Sequence, residues 1–314
     1  MEVVIEVLLA CYNGEKYLPE QLESLSAQEG VDLRVLMQDD GSADGTPALL
    51  QDWAAKDARF SVVQDERPQR VHGAVGNFWS LLGQATADYT ALCDQDDRWT
   101  PGRLRDGLAA MKAAELRWGS AAPLLIHSDA RVVDADGKLL HESFFRHQGW
   151  DVNATQLSRL LVQNNVTGCT VLMNRALREL ALAHGDPSNM YMHDWFLALT
   201  AAAFGHVVCV PQPLVMYRQH GNNEMGASQA GLAQRGAKAL SAREKGKQRM
   251  ALTYRHTADF AAAYAGVLPE EAQKVVSRYL ALEKKPKLVR MLGMERGNYR
   301  MQSFITRAGQ LLFC

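Results

Sequence analysis

Tyr89-Thr90-Ala91-Leu92-Cys93-Asp94-Gln95-Asp96-Asp97 decides how this chain is read. An apolar run of strand length ends abruptly in three carboxylates. A continuous apolar run suits a strand covered on both faces of a parallel sheet. Carboxylates crowded this closely repel one another unless a cation or strong hydrogen bonds intervene. Mg²⁺ and Mn²⁺ prefer carboxylate oxygens, and their sites are often completed by substrate phosphates. The stretch therefore reads as a strand delivering a divalent-metal and diphosphate site. The competing reading is a solvated acidic turn or a helix cap. A calcium loop of the EF-hand type fits poorly, since its glycine and distal Glu are missing.

Upstream and downstream, strand-like and helix-like segments alternate. Val3–Leu9, Val31–Met37, Phe60–Val63, Asp88–Cys93 and Leu124–Ser128 read as strands. Between them, Leu18, Leu22 and Leu25 recur at helical spacing. Thr46-Pro47 predicts a helix start, with Thr46 as the cap. Asn77–Gln84 is helical, and Pro101 opens another helix. Farther on, Asp134-Ala135-Asp136-Gly137 reads as a turn, Val171–Met173 and Val207–Val210 as short strands, and Trp195–Ala203 as a helix. This alternation predicts an α/β fold with a mostly parallel central sheet. Polar clusters fall after three of the strands, at Tyr12-Asn13-Gly14, Asp39-Asp40-Gly41 and Asp94–Asp97. Ligands of such sheets sit outside the carboxyl ends of the strands.

The chain has 314 residues, with 47% hydrophobic and 22% charged, which suits a globular protein and excludes a mostly disordered one. Its five cysteines are scattered without a CxxC pair, against a disulfide framework or zinc site and in favour of a reducing compartment. The apolar N-terminus lacks a basic leader and reads as a buried strand rather than a signal peptide. No stretch reaches the roughly 18 apolar residues of a membrane span. A cytoplasmic location is expected. The net charge of −1 hides an asymmetry: from Ala230 onward there are 16 Lys and Arg against 6 Asp and Glu. Beyond about Gly226 the text is helical, broken near Gly266–Pro269 and at Pro286. The expected organisation is a domain over residues 1–225, with a first half to about 130 and a second half from 131, then a helical, basic region over 226–314.

Gln38-Asp39-Asp40-Gly41-Ser42-Ala43-Asp44-Gly45-Thr46 carries more carboxylate than a turn requires. A carboxylate can accept the N3–H of a pyrimidine. Taken with Ala10-Cys11-Tyr12-Asn13-Gly14, Tyr17-Leu18 and Asp94–Asp97 followed by Trp99, Pro101 and Leu104, the chain resembles family 2 glycosyltransferases of the GT-A fold. These motifs cover roughly its first third. The resemblance implies a Rossmann-like nucleotide-diphospho-sugar transferase and assigns residues. Tyr12 and Asp39 would hold the nucleobase, within a donor-binding set of Ala10, Tyr12, Asn13, Glu15, Asp39, Asp40, Asn77, Asp94, Gln95, Asp96 and Arg218. Asp94 and Asp96 would be the DxD pair that binds Mn²⁺ or Mg²⁺, with Asp97 helping through water or by orienting a neighbour.

In the second half, His193-Asp194-Trp195 opens an apolar helical run. Asp194 reads either as that helix's N-cap or, by the resemblance, as the base that deprotonates the acceptor hydroxyl. One base and direct displacement would invert the anomeric centre. Gly168, Cys169, His193 and Trp195 are expected around the transferred sugar or the acceptor. Asn164–Thr170 otherwise reads simply as a loop entering a strand. Within Tyr217-Arg218-Gln219-His220-Gly221-Asn222-Asn223, His220 is the candidate third metal ligand, against the usual structural role of a lone His. Arg218 has two readings, a diphosphate contact or a partner for a core carboxylate. The QxxRW motif of processive synthases is absent, which favours transfer of a single sugar.

Asp94–Asp97, Asn165–Cys169, His193–Trp195 and Tyr217–Asn223 together are similar to bacterial rhamnosyltransferases of polysaccharide and lipopolysaccharide assembly. That likeness implies dTDP-L-rhamnose as donor and a glycan or lipid-linked glycan as acceptor. A UDP-sugar donor, a sugar-phosphate nucleotidyltransferase, and an inactive carbohydrate-binding protein of the same fold are the alternatives. The basic residues Lys284, Lys285, Lys287, Arg290, Arg296, Arg300 and Arg307 leave two readings open. The C-terminal region lies on an anionic membrane, or it folds on the acidic body through salt bridges. Sparse aromatics and the balanced charge argue against nucleic acid.

Overall fold

The computed structural model describes residues 3–65, 71–220 and 238–313. The first half is β1 (Val4–Cys11), α1 (Leu18–Ser26), β2 (Asp32–Asp39), α2 (Thr46–Lys56), β3 (Phe60–Val62), α3 (Gly73–Gln84), β4 (Tyr89–Asp94), β5 (Arg98–Trp99) and α4 (Arg103–Trp118). The second half continues with β6 (Leu124–Val133), β7 (Leu139–His141), α5 (Phe144–Gln148), α6 (Leu157–Leu160), β8 (Leu172–Asn174), α7 (Arg175–His184), α8 (His193–Phe204) and β9 (His206–Arg218). Four helices end the chain: α9 (Lys238–Ala263), α10 (Glu270–Leu282), α11 (Lys287–Arg296) and α12 (Phe304–Phe313).

One sheet runs in the order β3-β2-β1-β4-β8-β6-β9-β5, with β7 beside β6. β1, β2, β3 and β4 are mutually parallel, and β6 pairs parallel with β9; β8, β5 and β7 run against their neighbours. The chain moves from β1 outward to β2 and β3, then returns to place β4 on the other side of β1. That reversal opens a crevice at the carboxyl ends of β1 and β4, the position where sheets of this kind hold ligands. Alternation along β1 sends Ile5, Val7, Leu9 and Cys11 to the core beneath α1, α2 and α4, and Leu8 to the opposite core beneath α3 and α8.

The expected strand Val207–Val210 is longer than its sequence suggested. Pro211 and Pro213 argue for a break, because proline cannot donate to a ladder. The pairing of β6 with β9 instead shifts register between Ser128 and Asp129, where Val210 gives way to Pro213 as the partner. The irregularity absorbs the prolines and the strand runs on to Arg218. Thr46 is another difference. It is the first residue of α2 rather than its cap, which is Gly45. The Thr46 hydroxyl donates to Asp44 Oδ1 at 2.6 Å and accepts the Gly14 N–H at 2.8 Å, so it ties two loops together.

The C-terminal helices are fastened mainly by apolar contact. Tyr254, Phe260, Tyr264, Val276, Tyr279 and Met294 belong to the same buried cluster as Phe78, Leu81 and Phe196. The ion pairs Lys274–Glu271, Arg300–Glu295 and Arg307–Glu295 lie within the region itself. The helices therefore pack on the body by burying apolar surface; among the described residues no ion pair is found across the junction.

Glu6 shows how a carboxylate survives inside an apolar strand. It is 2% exposed. Its carboxylate accepts the backbone N–H groups of Thr86 (2.6 Å) and Ala87 (2.7 Å) and pairs with Arg34 at 2.9 Å. Glu6→Ala leaves two backbone donors without their acceptor, that of Ala87 buried and that of Thr86 partly so, and should cost about 1–3 kcal/mol in urea unfolding. Arg34→Ala, at the half-exposed end of the ion pair, should cost less than about 1 kcal/mol.

Candidate active site

The β1–α1 and β2–α2 loops are stitched to each other before they meet any ligand. Asn13, at φ 48°, donates its N–H to Ser42 Oγ (2.7 Å) and accepts the Ala43 N–H on its side chain (2.9 Å). Glu15 receives the Gly45 N–H at 3.0 Å. Asp39 receives the N–H groups of Gly41 (3.0 Å) and Ser42 (2.9 Å) and the Ser42 hydroxyl. Asn13, Glu15 and Asp39 thus hold the loops in shape and do not line the cavity. Gln95 clamps the exposed Tyr12 by its backbone: Tyr12 N–H donates to Gln95 Oε1 and Gln95 Nε2 donates to Tyr12 O, both at 2.7 Å. A Cβ at Gly14 would stand 2.1 Å from Gln95 Oε1, so glycine is required for that clamp.

A cavity of about 680 Å³ opens over these loops. Ala10, Tyr12, Asp40 and Asn77 line its inner side, and Asp94, Gln95 and Asp96 its acidic rim. Asn77 is buried and donates Nδ2 to Cys11 O and Gln38 O, both at 3.3 Å, pinning α3 to the ends of β1 and β2. Asp40 accepts the Gly73 N–H at 2.6 Å and faces His72 Nδ1 at 3.1 Å. Gly168, His193 and Asp194 close the far wall.

His220 meets the acidic rim from the other end of the chain. Its Nε2 lies 2.8 Å from Asp96 Oδ2, and its ring stacks on Tyr17 with centroids 4.8 Å apart. Gly221, Asn222 and Asn223 lie outside the described residues. Arg218 is not on the cavity lining. At 2% exposure its guanidinium donates to Asp96 O (2.8 Å), Ala135 O (3.0 Å) and Glu20 Oε2 (2.6 Å). The carboxylate-partner reading of Arg218 thus has a place in the structure, and the geometry gives the diphosphate reading no direct route.

Asp97 turns away from the cavity. It is buried, and its Oδ1 accepts the Arg218 N–H at 2.9 Å. Asp94, Asp97 and the buried Cys169 bring possible ligand atoms within 4.8 Å of one another. Burial pushes the Asp97 carboxyl up, and burial together with nearby carboxylates raises the Cys169 thiol well above its usual value. Both resist ionisation, which suits a hard divalent cation poorly. Asp96 and the His220 imidazole, 2.8 Å apart, are a second candidate pair, with Asp94 on the same rim of the cavity; among the described residues the atoms of these three do not converge as closely as those of the first group. Cys169 itself lies beneath the wall, where Arg103 donates to its carbonyl at 3.0 Å.

The cap of α8 is Met192, and Asp194 lies within the first turn of the helix. It accepts Asn164 Nδ2 at 3.2 Å and backbone N–H groups of Trp195 and Gly168. Burial outweighs these bonds and pushes its pKa up to about 7. Neighbouring His193 is 3% exposed, and neither ring nitrogen has a hydrogen-bond partner among the described residues. Its ring lies 4.3 Å from that of Phe78, and burial pushes its pKa down to about 3, leaving it neutral.

Beyond Asp194 lies a second cavity, also of about 680 Å³. Phe144, Trp150, Tyr191, Trp195 and Tyr217 give it an aromatic wall, and Gln248, Arg249, Leu252 and Thr253 of α9 complete it. Trp195 is fixed there by donating Nε1 to Leu160 O at 2.7 Å. Thr167, Met192, Asp194 and Tyr217 border both cavities. Sequence reading missed this chamber, although the aromatic run Phe144–Trp150 was its visible signal.

Residues 6–121 match the family model of glycosyl transferase family 2. They are a family 2 glycosyl transferase domain. That domain contains the stitched loops, Asn77 and the acidic rim. The chain is also 27% identical over 219 residues to the uncharacterized protein Rv1520 of Mycobacterium tuberculosis, covering 69% of this chain and 59% of that relative. With the dTDP-rhamnosyl transferase RfbG of Shigella flexneri it shares 24% identity over 234 residues, 70% of this chain and 74% of the relative. The crystal structure of S. aureus TarS 1-349 in complex with UDP-GlcNAc superposes with a TM-score of 0.58 at 15% identity, covering 100% of this chain and 89% of that one. The fold of the glycosyl transferase domain and its continuation is GT-A, as the order of motifs implied.

Asp194 supplies a test of the site's electrostatics. Its folded pKa, about 7, lies above the ordinary 3.8. The stability associated with the protonated carboxyl is present below pH 4 and is lost as pH rises through 7. Asp194→Asn should therefore match the wild type near pH 4 and be the more stable protein at pH 8, by up to about 4 kcal/mol. Thermal melts across that range would show it; a difference independent of pH would refute the assignment.

Proposed function

We propose that the protein is an inverting glycosyltransferase that moves one sugar from a nucleotide diphosphate to a saccharide acceptor. The observation that carries this reading is the position of Asp194, a buried carboxyl with a pKa near 7 at the junction of two cavities. One cavity has an acidic rim and the other an aromatic wall. The donor occupies the first, with its base near Tyr12 and Asp40, on the loop that Asp39 holds in shape, and its diphosphate toward Asp94 and Asp96. The acceptor occupies the second, where the flat apolar faces of sugar rings stack on Trp150 and Tyr217.

Asp194 takes the proton of the acceptor hydroxyl as that oxygen attacks the anomeric carbon. A base poised near neutral pH suits this transfer. Attack from the acceptor cavity, opposite the departing diphosphate, inverts the anomeric centre. His193 presents an unpartnered, neutral imidazole to a donor-sugar hydroxyl, which would satisfy a buried polar group that otherwise costs free energy. Asp94, Asp96 and His220 would hold Mn²⁺ or Mg²⁺, which supplies positive charge against the developing charge of the diphosphate. A Cβ at Gly168 would stand 3.2 Å from His193 Nε2, so glycine lets the backbone come close to that imidazole.

The donor we propose is dTDP-L-rhamnose, supported by the likeness to the dTDP-rhamnosyl transferase and by the motif set of the second half. The acceptor is a cell-surface glycan or a lipid-linked glycan of the cytoplasmic face. The chain spans 59% of the length of its mycobacterial relative, and the alignment carries no activity for the whole.

Differential scanning fluorimetry with Mn²⁺ and dTDP-, UDP- and GDP-sugars tests the donor. A ligand selective for the folded state raises its stability by mass action. dTDP-rhamnose should shift the wild type, and Asp96→Ala should lose the shift. A shift with UDP-sugars alone would keep the transferase and remove rhamnose. Asp194→Asn should keep the donor-induced shift while turnover falls by about 10²–10⁴; loss of both together would point away from a base.

A further inference from the structure

Helix α11 has two unlike faces. Met294, 1% exposed, and the half-buried Met291 point into the core shared with the catalytic body, and Leu282 of α10 packs against Gly293. The opposite face carries Leu288, Val289 and Leu292, exposed by 74%, 49% and 58%. Spacing of three to four residues places these aliphatics together on one side of the helix. Aliphatic side chains scattered singly over a surface need no explanation, but three sharing one face of a ten-residue helix do.

Their surroundings are cationic. Between Leu282 and Arg296 there are five basic residues and two acidic ones. Lys284, Lys285 and Lys287 are exposed at the start of the helix, and Arg296 lies at its end between the aliphatic positions. Of the two acids, Glu295 is held by Arg300 at 3.0 Å and Arg307 at 2.8 Å, so the basic residues outnumber the acids left to face them on this segment. An aliphatic face rimmed by cations and fixed in orientation by a buried opposite face complements an anionic lipid surface. Among the described residues no helix is long and apolar enough to cross a membrane, so contact of this kind would be peripheral.

We infer that α11 docks the protein onto anionic membranes, with Leu288, Val289 and Leu292 inserted at the headgroup boundary and Lys284, Lys285 and Lys287 against lipid phosphates. The surface is separate from both cavities, and its occupant is the bilayer rather than a second polypeptide.

Flotation with phosphatidylcholine vesicles, with and without about 30% phosphatidylglycerol, tests this. The protein should float with the anionic vesicles at least tenfold better than with the neutral ones, and salt near 0.5 M should weaken the binding. Leu288→Glu with Leu292→Glu, and separately Lys284→Glu with Lys285→Glu, should each reduce flotation tenfold or more. The altered side chains are exposed, so melting temperatures should match the wild type. Absence of flotation with anionic vesicles, or flotation unchanged in the aliphatic double variant, overturns the inference. A concentration-dependent dimer dissolved by Leu292→Glu would also overturn it, assigning the face to a second copy.

Discussion

The hydrogen bond from the Arg218 backbone to the buried Asp97 fastens the last strand to the acidic loop that follows β4. Its guanidinium extends the join to Asp96 O, Ala135 O and Glu20. One residue thereby fixes three segments that are remote in sequence. A carboxylate as buried as Asp97 is tolerated because it is hydrogen-bonded, and its reluctance to ionise lowers the cost of keeping it there. The consequence reaches the site two residues on, where His220 is delivered beside Asp96 and steadied by Tyr17. The acidic rim owes its geometry to a residue that does not itself line the cavity.

The same division of labour recurs throughout. Asn13 and Glu15 spend their side chains on backbone donors of the neighbouring loop, Asp39 on donors of its own, and Gln95 spends its amide on Tyr12. These bonds hold the walls, while Asp40, Asp94, Asp96 and Asp194 line the cavity. Walls fixed before binding leave less ordering to be done on association.

The first half of the fold was legible because each strand of its parallel sheet announces itself twice, by an apolar run and by polar residues at its end. β1, β2 and β4 are found within a few residues of where their sequences place them. The second half is harder for physical reasons. β8 is three residues long, and β9 hides its length behind two prolines. The helix α7 carries its cap on Asn174, the last residue of the preceding strand, so no loop marks its start. For the site, residue type named the acidic rim and Asp194 but could not separate side chains that face the cavity from those that build it. Arg218, Asp39 and Glu15 are of the builder kind. The aromatic chamber is assembled from α5, the loop before α8 and α9, segments that sequence gives no reason to join.

That last feature has a bearing on how the two sides of the site can vary. The first cavity draws most of its lining from residues before 100 and its far wall from Thr167, Gly168 and Met192–Asp194, whereas the second chamber borrows one wall from a helix that begins after residue 237. Changes in α9 can reshape the far chamber while leaving the nucleotide side untouched. The chain therefore carries two compartments of separate origin, joined where Thr167, Met192, Asp194 and Tyr217 border both. The far chamber can be reshaped through the C-terminal helices, with the core they share with the body keeping each new wall in register.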